Sequence, residues 1–177
     1  MNKLILPPDI LLKEGKTVSL TQVDLTKEDS SLLQLLQQQT EAEDSLAQRA
    51  GSSWYRSNLG PKPTQGGVYI SGATLAPLSG QTPSGGIVST ILCNYSRLNW
   101  AGWQNQITLR LFITTPNSSA AWEAFLDVAS DSATVNTAGS NIPADCRITL
   151  QMKVGNITGG LYQPPYISTY DCTVSYN

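Results

Sequence analysis

Histidine is absent from all 177 residues. That removes the side chain most often used as a general base or metal ligand near neutral pH. Neither a Ser-His-Asp nor a Cys-His triad can be assembled within one chain. Charge is scarce as well. Asp, Glu, Lys and Arg make up 14% of the sequence, well under the usual share of about 25%. The net charge is −2, and Lys and Arg nowhere form a run. Without a basic cluster there is no electrostatic footprint for DNA or RNA and no polybasic patch for a membrane surface.

Cysteine is also sparse. Cys93, Cys146 and Cys172 are too few and too scattered for a disulfide framework or a zinc site. Each lies in or beside an apolar run, which marks them as buried free thiols. A single Cys146–Cys172 bridge stays open if their strands are neighbours. Long apolar runs are missing too. In "MNKLILPPDILLKEGKTV" the hydrophobic clusters are broken by Pro7, Pro8, Asp9, Lys13 and Glu14, whereas a signal peptide needs an unbroken stretch of about 7 to 15 residues. Nor does any segment reach the roughly 20 apolar residues of a membrane span. The expectation is a chain made in a cytoplasm, not exported by that route and not inserted in a membrane.

Ser, Thr, Asn, Gln and Gly fill the place of the missing charge, a composition suited to broad, solvated β-sheets. Four zones follow from the patterning. Residues 1–26 read as an extended arm: Leu4, Ile5 and Leu6, then Ile10, Leu11 and Leu12, straddle a Pro-Pro pair that disfavours helix. Within it "KTVSLTQVDL" alternates well enough to add a strand. Residues 27–50 read as a helix, with Thr26 and Asp29 as a capping-box-like start, Arg49 in the last turn and Gly51 as its stop. At 1.5 Å per residue it would be about 35 Å long. Residues 51–67, "GSSWYRSNLGPKPTQGG", read as a neck or linker rich in Gly, Ser and Pro.

Residues 68–177 form the head. "QITLRLFITT", "CRITLQMKV" and "YDCTVSY" place apolar residues at every second position, the period of a strand with one buried face. "GGVYISG" and "GGIVSTILCNY" add two more strands, each opened by a glycine pair. Trp122, Phe125, Leu126 and Ala129 follow i, i+3, i+4, i+7 spacing and predict one short helix. The expected fold is mainly β: an antiparallel β-sandwich or small barrel with one short helix, preceded by the arm and one α-helix.

Chemistry finds little foothold. Glu123 and Asp127 would share one face of that short helix, where a solvated side is the simpler explanation than an acid pair. Asp131 and Asp145 border polar loops, and Asp171 completes the carboxylates of interest, without the spacing of a calcium loop. The glycine pairs lack phosphate-loop spacing and fit turns. No enzymatic activity, cofactor or metal is expected. The sequons at Asn94, Asn117 and Asn156 carry no weight without a secretory signal. "NYSRLNWAGWQNQ" sets Tyr95, Trp100 and Trp103 among amide and hydroxyl side chains, in what should be a loop. Such rings either stack on a glycan or partner, or plug one end of the core. "GLYQPPYISTY" is a second loop of this kind.

On the predicted helix, Leu25, Leu32 and Leu46 recur at seven-residue spacing beside Leu36 and Ala50, while Gln39 and Glu43 interrupt the seam. This allows a short parallel dimer or trimer contact. The order arm, helix, neck and β head resembles small bacteriophage virion proteins: tail-fibre tips, receptor-binding proteins and capsid-decorating proteins. The resemblance is one of architecture and composition and rests on no diagnostic motif. It implies a structural protein of the virion, a homotrimer by preference. Leu4 to Leu12, with Leu32 and Leu36, would dock to other virion proteins, and the head would face outward towards a host-surface glycan. The alternative is a free-standing, lectin-like carbohydrate-binding module using Tyr95, Trp100 and Trp103.

Overall fold

The computed structural model describes residues 17–24 and 53–177. The chain enters through β1 (Thr17–Ser19) and β2 (Thr21–Val23), then resumes with β3 (Ser53–Leu59), β4 (Gln65–Gly66) and β5 (Tyr69–Ser71). The long β6 (Val88–Leu98) leads through a single 3-10 turn at Gln104–Gln106 into β7 (Ile107–Thr114) and β8 (Ala121–Phe125). β9 (Ser132–Asn136), β10 (Arg147–Val154), β11 (Gly159–Gly160) and β12 (Tyr166–Tyr176) complete the described strands.

Two five-stranded sheets result, with orders β1-β9-β6-β12-β3 and β2-β8-β7-β10-β5, beside a small β4–β11 ribbon. Among the described residues all pairings are antiparallel except β1 with β9. The expected β-sandwich is therefore the fold. Period-two patterning builds it. Leu109, Leu111 and Ile113 of β7 and Ile148, Leu150 and Met152 of β10 face Ile91, Cys93 and Tyr95 of β6 and Tyr170, Cys172 and Val174 of β12 in one buried cluster. Each such aliphatic side chain taken from water is worth about 1.5–3 kcal/mol. Tyr170 also ties the layers together. Its hydroxyl lies against the carbonyls of Ala73 and Ile148 and accepts the Leu150 N–H at 3.2 Å.

"KTVSLTQVDL" supplies an edge to both layers. β1 runs along β9 in the first sheet, the chain switches layer at Leu20, and β2 runs along β8 in the second. Val18 and Leu20 pack on the core at that side, so residues 17–24 belong to the head and not to a separate arm. The rest of the predicted arm and the predicted helix at 27–50 lie outside the described residues, as do Leu4, Ile5, Leu6, Ile10, Leu11, Leu12, Leu32 and Leu36.

Two sequence expectations are corrected. The neck at 51–67 contains β3, which pairs with β12 from Ser53 to Leu59. Trp54 is 1% exposed and donates its indole N–H to the Ala144 carbonyl at 2.7 Å. The Gly, Ser and Pro that suggested a linker flank the strand. A side chain at Gly60 would run into the Ile167 carbonyl, so that glycine permits the close approach of β3 to β12. The short helix at 122–129 is instead β8 and the turn after it. Trp122 and Ala124 point inward opposite Ile113 and Leu111, while Glu123 and Phe125 point outward. Helical spacing over so few residues is equally met by a strand running into a turn, and pairing with β7 decides between them.

Candidate functional site

All three cysteines are buried free thiols. Cys93 and Cys172 lie directly opposite one another on β6 and β12, so the neighbour of Cys172 is Cys93 and not Cys146. Burial pushes the Cys146 thiol up to about 12. Cys172 is raised by burial first and by the adjacent Cys93 second. Neither thiol is set up as a nucleophile at neutral pH.

The carboxylates weighed as an acid pair are occupied separately. Glu123 pairs with Arg110 at 2.9 Å on the outer face of the second sheet, and the Arg110 Nε donates to Gln151 Oε1 at 2.6 Å. The same guanidinium sits 4.0 Å from the centre of the Tyr69 ring and 5.1 Å from that of Phe112, a cation–π arrangement. Asp127 Oδ1 accepts the Ala129 N–H at 2.9 Å and shapes the turn after β8. Among the described residues no three Cys, Asp or Glu side chains converge as a metal site would need.

The aromatic cluster singled out in the sequence is built into the sandwich. Tyr95 and Trp100 are buried. The Tyr95 hydroxyl donates to the Asp127 carbonyl at 2.8 Å, and the Trp100 indole N–H to the Val128 carbonyl at 3.1 Å. Burial raises the Tyr95 phenol, with the Cys93 thiol next in size. Trp103 is half-buried and donates to the Gln163 carbonyl at 3.2 Å, beside Asn99, which donates to the same oxygen at 2.8 Å. These rings tie the 99–106 loop to the loops after β8 and before β12.

Around that tied loop lies what the sequence did not reveal, a polar groove of about 480 Å³ lined by Asn94, Ser96, Arg97, Trp100, Gln104, Asp131, Thr169 and Asp171, with Tyr95 at its base. Strand order creates it. Asn94 on β6 stands opposite Ser132 on β9 on one side and Asp171 on β12 on the other. The Asn94 Nδ2 donates to Asp171 Oδ1 at 3.0 Å. Only the amide NH2 can face a carboxylate, so Oδ1 points the other way. Both that oxygen and the Ser132 hydroxyl are buried without a hydrogen bond. Arg97 commits its NH1 to the Val128 carbonyl at 2.9 Å. Asp171 also reaches Tyr55 on β3, whose phenol is raised chiefly by partial burial and then by this carboxylate. The groove thus has two carboxylates against one guanidinium, part of which is committed to Val128.

Fold and site define a two-layer β-sandwich with a polar groove at one end of its first sheet. No family model and no curated protein matches the sequence. A crystal structure of FlhE shares the fold: the TM-score is 0.55 at 17% identity, over 73% of this chain and 99% of that one. This corrects the bacteriophage expectation. The shared fold is that of FlhE and not of a virion protein, so the tail-fibre, receptor-binding and capsid-decoration readings are withdrawn.

Proposed function

We propose that the chain is a non-catalytic binding module that holds a cationic hydrogen-bond donor, such as a Lys or Arg side chain of a partner protein, in the groove between β6, β9 and β12. The observation that carries this reading is the surplus of acceptors. Asp131 and Asp171 line the groove with two carboxylates against the single guanidinium of Arg97, one of whose N–H groups is turned to the Val128 carbonyl. A guanidinium or ammonium brings only donors and complements such a set. The volume falls within the range of about 300–1,000 Å³ typical of ligand sites. The sequence without histidine and the buried, protonated thiols support binding over catalysis.

The test is an NMR titration with a short peptide carrying two arginines, against the same peptide with glutamates in their place. The arginine peptide should shift the amides of 94–97, 131 and 169–171, and an Asp131→Asn/Asp171→Asn chain should bind it about tenfold or more weakly, a loss of about 1.4 kcal/mol. Equal binding of the glutamate peptide would overturn the reading.

A further inference from the structure

Two of the three cysteines meet at one register position. Cys93 of β6 and Cys172 of β12 are directly paired, and both are 0% exposed. Antiparallel partners come in two kinds, and the hydrogen bonds beside Cys93 decide which kind this is. The Tyr95 N–H donates to the Asp131 carbonyl at 2.9 Å, on the β9 side. Two residues earlier, with no bulge between, Cys93 turns its own N–H and C=O the same way, towards Ala133. Cys93 and Cys172 are therefore a non-hydrogen-bonded pair. In such a pair the Cα atoms lie about 4.5 Å apart and the side chains approach closely, within the span of roughly 4.4–6.8 Å that a disulfide bridges. Both side chains lie in the core, in a row with Ile91 and Val174 on one side and Tyr95 and Tyr170 on the other. The two thiols are within hydrogen-bonding reach of one another. Cys146 has no cysteine opposite it. It precedes β10 in the other layer, and its N–H donates to the Pro143 carbonyl at 3.1 Å.

We infer that Cys93 and Cys172 are a paired oxidation site, which a low-molecular-weight disulfide such as glutathione disulfide converts to one intrachain bridge between β6 and β12. The exchange has two steps. One cysteine thiolate attacks glutathione disulfide, forms a mixed disulfide and releases one glutathione thiolate. The other cysteine thiolate then attacks the protein sulfur of that mixed disulfide and releases the second. Two electrons pass from the cysteine pair to glutathione, and the two thiol protons end on the two glutathiones. Burial dictates the order of events. Neither sulfur is accessible in the closed sandwich, so the first attack precedes the pairing of β6 with β12, and pairing brings the second thiol into line. The bridge closes the loop from 93 to 172, and closures that long remove the most freedom from the unfolded chain. It also fixes the strand register one position from Asn94 and Asp171, which line the groove.

The experiment refolds the reduced full chain from denaturant with a mixture of glutathione and glutathione disulfide, and in parallel with glutathione alone. Free thiols are alkylated under denaturing conditions, and the chain is digested with trypsin without reduction. Cleavage after Arg97, Arg147 and Lys153 leaves the three cysteines in separate peptides. Mass spectrometry of the oxidised chain should show the Cys93 and Cys172 peptides joined and Cys146 alkylated. That chain should melt above the reduced one, by about 5 °C. Three alkylated cysteines, glutathione adducts left on Cys93 or Cys172, or a bridge that includes Cys146 would overturn the inference. So would a bridged chain that melts no higher than the reduced one, because the bridge would then not fit the strand pairing.

Discussion

Asn94 and Asp171, from strands far apart in sequence, meet across the β6–β12 pair with Nδ2 and Oδ1 3.0 Å apart. That contact fixes which way the Asn94 amide points. It places an unpaired carbonyl oxygen next to the unpaired Ser132 hydroxyl and leaves Asp131 and Asp171 to define the charge of the site.

Tyr170 is the cross-tie between layers. Replacing it with Phe keeps the ring in place but leaves the Leu150 N–H without its side-chain acceptor. An unsatisfied buried donor costs about 1–3 kcal/mol. Urea unfolding of Tyr170→Phe should show that loss with an unchanged slope; a midpoint equal to that of the parent would show the tie to be idle.

Trp100 and Trp103 separate structure from recognition. Trp100 is 7% exposed, so Trp100→Ala should cost about 3–5 kcal/mol. Half-buried Trp103→Ala should cost distinctly less. Thermal melts of the two variants would reverse this order only if Trp103, and not Trp100, closed the end of the core.

Glu123→Ala leaves the Arg110 guanidinium largely buried with one charge partner removed. Gln151 and the Tyr69 ring remain against it, and the Glu123 side chain is 21% exposed. The cost should therefore fall below the roughly 3–5 kcal/mol of a fully buried broken pair. Chemical denaturation of the variant measures it, and a gain in stability would contradict the packing described.

The thiols set a pH dependence. Cys146 rises from its ordinary 9.0 to about 12 in the fold. The unfolded chain therefore loses this proton first as pH increases. The contribution to stability is fully present below about 9 and is lost as pH rises from there towards about 12. A Cys146→Ser chain, compared with the parent across that window, should lose less stability. In the folded parent a thiol reagent at pH 8 should label none of the three cysteines until denaturant is added.

The central strands were legible because β7 and β10 bury one face and alternate without interruption. β3 was hidden by Gly60 and by Pro61 and Pro63, which lie beyond its end but dominate the local composition. At 122–129 two periods fitted one short stretch, and only the β7 partner decides. The aromatic cluster was visible in sequence, but the direction of its rings was not, since their partners are carbonyls of Asp127, Val128 and Gln163 from other loops. The groove could not be read at all. Asn94, Asp131 and Asp171 become neighbours only through the order β9-β6-β12.

Binding in that groove is the claim on which the functional account stands, and isothermal titration at two salt concentrations addresses it directly. The parent should bind the two-arginine peptide with an affinity that weakens as salt screens the exposed carboxylates, and Asp131→Asn/Asp171→Asn should bind it about tenfold or more weakly and lose the salt dependence. Equal, salt-independent binding by parent and variant would contradict it, as would no binding by the folded parent.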